Sequence, residues 1–175
     1  MITDIRLAGQ QLAAPRFDTP KKLVSWMGAI QAQDYAMARW AVGIRLKSAT
    51  ARSVGEAFSR GEILRTHVMR PTWHLVAAED IRWMLKLSAR RIRSANESLA
   101  KGRQLELTEQ LHYRCDRLLE KMLEGNRNLT KQQIGEELNR QGIAADTPRL
   151  TRLLMRAETE AVVCSGPFSG GKQTY

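Results

Sequence analysis

The stretch EILRTHVMRPTWHLV, residues 62–76, constrains the fold more than any other part of the sequence. It is rich in β-branched and aromatic residues and is broken by Met69-Arg70-Pro71. That pattern predicts two strands, about 63–67 and 72–76, joined by a tight connection. Nearly everything before it reads as helix. Residues 3–13 form a short amphipathic pattern with Ile5, Leu7, Ala8 and Leu12 apolar. Asp18-Thr19-Pro20 places a capping side chain ahead of a first-turn proline and starts a helix that runs to about Ile30. A second pattern covers Tyr35 to about Leu46, and a third fits Ser53–Ser59, ended by Gly61. Helices followed by a β-hairpin is the order of a winged helix.

The order then repeats. AAEDIRWML restarts a helix that runs to about Ala100, with a break around Gly102. Thr108, Thr130 and Asp146 each precede a helical pattern, at 108–124, 131–141 and 148–159. EAVVCSGPFSGGKQTY reads as a strand, a glycine-rich turn and a returning strand. The expected fold is therefore mainly α with small β-hairpins (α+β). It consists of tandem winged-helix units at 1–80 and 106–175, joined by a long helix at 81–105. The sequence stops at Tyr175 as the second hairpin returns, which suggests a fragment lacking a C-terminal part.

Composition narrows the function classes. The 175 residues carry a formal charge of +10, shared equally as +5 in residues 1–85 and +5 in residues 86–175. This excludes a basic tail and makes a polyanion such as nucleic acid the default partner. There is no apolar run long enough to span a membrane and no secretory signal. Cys115 and Cys164 are too few for a disulfide framework and sit in no metal-ligand spacing, so a reducing cytoplasm is expected.

Three surfaces are candidates for DNA contact. On helix 148–159, Arg149, Arg152 and Arg156 share a face distinct from Leu150, Leu153, Leu154 and Ala157. The third helix of such a unit is where a recognition helix carries its contacts; the alternative is an ordinary solvated face. Arg82, Lys86, Arg90 and Arg93 form a second stripe, about 16 Å long on a helical rise, on a different face from Ile81, Leu85, Ser88 and Ile92. Arg70 in the first hairpin bend and Lys172 in the second complete the candidates. Trp26 and Trp40 are assigned to packing. His67 and His74 lack carboxylate or cysteine companions, so no metal and no cofactor are expected.

The segment GAIQAQDYAMARWAVGIRL places Gln31 and Gln33 at a helix junction. Residues two apart on a helix point about 200° away from each other, whereas in an extended segment they share a side. The two amides can act together only if 31–33 leaves the helix. Asp34 reads as the cap of the helix that begins at Tyr35, with a water-activating role as the alternative. No nucleophile elbow, P-loop, zinc-ligand run or dinucleotide fingerprint is present.

RLAGQQL, GAIQAQDYAMARWAVGIRL, ILRTHVMRPTWHLVAAEDIRWML and SGPFSGGKQTY together resemble the AlkZ/YcaQ-like family of bacterial winged-helix DNA glycosylases. The resemblance covers essentially the whole chain. It implies tandem winged helices followed by a β-rich C-terminal part. It also implies hydrolysis of the N-glycosidic bond of alkylated purines, including those in interstrand crosslinks. The family's Gln-aliphatic-Gln catalytic motif falls on Gln31-Ala32-Gln33. The implied partner is double-stranded DNA with alkylated or crosslinked purines, met by a bacterial, cytoplasmic, nucleoid-associated monomer. A non-catalytic winged-helix regulator remains the competing reading, and a protein-interaction module a third.

Overall fold

The computed structural model describes residues 1–175 and is α+β, with eight helices and two small sheets. In chain order the elements are α1 (Ile2–Gly9), α2 (Pro20–Met27), β1 (Ile30–Gln31), α3 (Tyr35–Gly43), α4 (Ala51–Ser59), β2 (Ile63–His67) and β3 (Trp73–Ala77). There follow α5 (Ile81–Gly102), α6 (Glu109–Leu123), α7 (Lys131–Arg140), α8 (Thr147–Thr159), β4 (Gly166–Ser169) and β5 (Lys172–Thr174). The chain divides into two compact units: Met1–Arg65 with Thr72–Ile81, and Thr66–Pro71 with Arg82–Tyr175.

Side-chain caps account for most helix starts. Thr19, Asp34, Thr50, Thr108, Thr130 and Asp146 each accept a hydrogen bond from the backbone N–H three residues on. Each such cap stabilises its helix by about 1 kcal/mol. Thr50 and Thr130 belong to reciprocal capping boxes with Ser53 and Gln133.

In the first unit, α2, α3 and α4 pack around Leu23, Val24, Val42, Val54 and Phe58. The sheet has the order β1-β3-β2, with β1 antiparallel to β3 in the register Ile30↔Leu75 and Gln31↔His74. Strand β1 corrects the sequence reading, in which helix ran to Ile30. The helix stops at Met27 because Gly28 adopts φ 74°, a left-handed turn that glycine enters without Cβ strain. Helix α1 forms near the predicted place but buries none of its residues. The tryptophan reading fails. Trp40 is 60% exposed and Trp26 46%, so neither is a core side chain. Trp26 instead lies against Phe17, with Arg16 over its ring.

In the second unit α8 is the central element. Leu150, Leu153, Leu154, Met155, Ala157, Glu158 and Thr159 are all buried on it. Cys115 and Leu119 of α6 and Ile134 and Leu138 of α7 are buried in the same unit. Gly135 permits a close approach: a Cβ there would lie 2.9 Å from a Leu150 methyl. The buried Glu158 carboxylate accepts from the His67 backbone N–H at 3.1 Å and lies 2.6 Å from His67 Nδ1. A charge with no exposed surface is tolerable only with such partners. Hairpin β4–β5 is tied to the loop before α7 by reciprocal backbone bonds between Leu129 and Tyr175, 2.9 and 3.2 Å.

Candidate functional site

Residues 30–32 run along β3, and the chain then bends at Gln33. Ile30 and Gln31 pair with Leu75 and His74, and the Ala32 N–H continues the ladder to the Trp73 carbonyl at 2.7 Å. Ala32 is fully buried while Gln31 and Gln33 are exposed. Both amides therefore lie at the surface, flanking a buried alanine.

The two glutamines are held differently. In an antiparallel ladder, bonded and non-bonded pairs alternate, and Ala32–Trp73 takes a bonded position. A regular ladder would direct the Trp73 N–H at the Ala32 carbonyl. Instead Gln33 Oε1 accepts from the Trp73 N–H at 2.8 Å. Since an N–H only donates, this bond fixes which end of the carboxamide faces the strand, and Nε2 is turned the other way. Gln31 occupies the neighbouring non-bonded pair opposite His74, where facing side chains come closest. His74 is buried, with Nδ1 2.8 Å from the Thr72 carbonyl.

Arg65 of β2 completes the arrangement, and no sequence pattern marks it. Its Nε donates to the Ala32 carbonyl at 2.9 Å, and its terminal amino group donates to the Gln33 carbonyl at 3.0 Å. The guanidinium lies 4.5 Å from the centroid of the Trp73 ring. Asp34 caps α3 by accepting from the Met37 N–H at 2.9 Å. Beyond it, burial pushes the Tyr35 phenol up from its ordinary range, partly offset by Arg39 and Arg65.

The basic candidates separate into two groups. Arg82, Lys86 and Arg90 are exposed along α5, joined by Arg91. Arg93 is only half exposed and pairs with Glu160 at 3.2 Å. The α8 arginines do not form an open face. Arg156 has 12% of its side chain exposed and makes two bonds to the Glu109 carboxylate at 3.1 and 3.0 Å. Its guanidinium also lies 3.0 Å from Glu160. Arg149 pairs with Asp146 at 3.6 Å and reaches the Glu106 carbonyl at 3.4 Å. Arg152 is half buried, and desolvation pulls its pKa down. Helix α8 is enclosed on nearly every side, and two of its three arginines, Arg149 and Arg156, are taken up in ion pairs. Arg70 is exposed in the hairpin bend, and the Lys172 ammonium is 3.5 Å from Gln132 Oε1.

Burial pushes the Cys115 thiol up to about 12, making it a packing group. No three His, Cys, Asp or Glu side chains are grouped to hold a metal, and no helix is long and apolar enough to cross a membrane.

Fold and site thus define a helical α+β protein with a solvent-facing amide pair at the end of a short strand and a basic helix face. Residues 24–175 match the family model described as DNA glycosylase AlkZ-like, and the chain belongs to that family. The solved structure of Streptomyces sahachiroi DNA glycosylase AlkZ shares the fold, with a TM-score of 0.72 at 22% identity over 97% of this chain. The chain spans 46% of that structure's length. No curated protein matches the chain.

Proposed function

We propose that this protein is a DNA glycosylase that hydrolyses the N-glycosidic bond of alkylated purines, with Gln31 and Gln33 as its catalytic pair. The observation that supports the reading is the departure of residues 30–33 from helix, which leaves both amides exposed to solvent around the buried Ala32. Family membership supplies the reaction class.

Amides suffice because of the substrate. A purine alkylated at N7 or N3 is cationic and leaves without protonation. Water attacks C1′ and the glycosidic electron pair passes to the purine nitrogen, neutralising the base, while the water's proton goes to solvent. The protein's task is to place the water and to stabilise an oxocarbenium-like sugar. Gln31, whose carboxamide oxygen is an acceptor, is the water-positioning group. Gln33 has its oxygen committed to the Trp73 N–H and presents its NH₂ donors to a sugar or phosphate oxygen. Asp34 acts as a helix cap and not as a base. Unmodified purines leave far more slowly, so weak catalysis is selective for damage, crosslinked purines included.

The exposed α5 cations Arg82, Lys86 and Arg90 are the phosphate-contacting face in this reading. The segments 1–80 and 106–175 are each read as a winged helix, with the 81–105 helix between them in the sequence.

The test is release of N7-methylguanine, N3-methyladenine and crosslinked purines from duplex DNA by the full-length protein. Gln31→Ala and Gln33→Ala should each lower single-turnover release by about 100-fold or more, the loss typical when one oriented polar group is removed, while DNA affinity stays within threefold. No release by the wild type from any of these substrates sinks the reading. A footprint on one defined operator, untouched by either substitution, would point to a regulator instead.

A further inference from the structure

We propose that Arg65 is a positioning residue for the amide pair, resting on the reading of Gln31 and Gln33 given above. Consecutive carbonyls of an extended chain point in opposite directions. Those of Ala32 and Gln33 converge on one guanidinium, at 2.9 and 3.0 Å, which requires the strand to turn at Gln33. Arg65 stands on β2, at the far side of the three-stranded sheet from β1, and reaches β1 over the Trp73 ring of the central strand. The ring face favours the cation and keeps the guanidinium flat.

The same interaction accounts for the orientation of Gln33. Arg65 takes up the Ala32 carbonyl that a regular ladder would give to the Trp73 N–H, and that N–H is met by Gln33 Oε1 at 2.8 Å. One side chain therefore sets both where the strand ends and which way the Gln33 carboxamide faces. It does so through the Ala32 and Gln33 backbone carbonyls and the Trp73 ring. The planar two-donor fork is what the job needs. A lysine ammonium supplies the charge without the fixed pair of donors.

The experiment uses Arg65→Lys and Arg65→Ala in the full-length protein, read by three measurements. These are hydrogen exchange of the Trp73 amide, duplex DNA affinity, and single-turnover release of N7-methylguanine. Expected for Arg65→Lys are an unfolding temperature within a few degrees of wild type and DNA affinity within threefold. The Trp73 amide should exchange at least tenfold faster, and base release should fall at least tenfold. Millimolar guanidinium should restore part of the rate to Arg65→Ala, and methylammonium should not. Wild-type Trp73 protection and a base-release rate within twofold of wild type in both variants overturn the proposal. So does a parallel loss of stability, affinity and rate without guanidinium rescue, since that is the signature of a merely structural arginine. If the wild type releases no base, the glycosylase reading fails, and Trp73 exchange in Arg65→Lys alone decides whether Arg65 sets the turn.

Discussion

The two cationic stripes of the second unit, on α5 and α8, look alike as sequence and differ as structure. Both repeat at three or four residues opposite an apolar face. On α5 the opposite face meets the core, and Arg82, Lys86 and Arg90 stay in solvent. On α8 the helix is enclosed, and acids meet two of the three arginines: Glu109 from α6 and Glu160 at the helix end hold Arg156, and Asp146 at the helix start holds Arg149. Spacing reports that charges share a face. Whether that face is open depends on what packs against it, and only an open face can release counterions from a polyanion.

The sharpest way to break this contrast is Arg156→Ala. It removes a forked pair to Glu109 and an ion pair to Glu160 from a side chain that is only 12% exposed. It should cost about 2 kcal/mol of stability, seen as a lower denaturant midpoint. An unchanged midpoint together with a large loss of DNA affinity would falsify the assignment of α8 to structure. Next in size is the triple change Arg82→Ala, Lys86→Ala, Arg90→Ala. Stability should hold to within about 0.5 kcal/mol per site, as for exposed positions generally. The slope of log affinity against log salt should flatten by about 0.9 for each phosphate that is no longer neutralised. A slope that does not move rules out α5 as the phosphate face.

A third and smaller effect is pH-dependent. Asp116 of α6 is half buried, and its pKa is pushed up to about 6 chiefly by burial, opposed by Arg156 and reinforced by neighbouring carboxylates. A carboxyl raised on folding binds its proton more tightly in the native state, so this group costs stability as pH rises from about 4 through 6. Asp116→Asn should therefore raise the unfolding temperature at pH 8 and leave it nearly unchanged at pH 4. Glu109 shifts the opposite way. The Arg156 hydrogen bond lowers its pKa, so its stabilising contribution is present at neutral pH and lost on acidification. If Asp116→Asn helps equally at both pH values, the origin is not ionisation. Smallest of all is Lys172→Ala. Its ammonium is solvent-exposed with one long hydrogen bond, so stability should stay within about 0.5 kcal/mol, and one flexible cation should change the salt slope by at most about 0.9.

The site itself was partly legible. Gln31 and Gln33 stand out because two amides one residue apart are useless together on a helix, and the structure takes them off it. Arg65 carried no signal: in the sequence it is one cation among many, 32 residues from the Gln33 carbonyl it holds. Strand β1 was hidden for a related reason. Two residues show no periodicity, and they are a strand only because β3, more than 40 residues later, supplies the ladder.

What the sequence determined by itself is the set of local events. Capping side chains bind backbone groups three residues away, and Gly28 turns the chain at its own φ, so these are written in adjacent letters. The Arg149–Asp146 and Arg156–Glu160 pairs lie within one helical turn of sequence, but the Arg156–Glu109 pair and the Gln33–Trp73 bond join groups 40 or more residues apart, which only packing brings together.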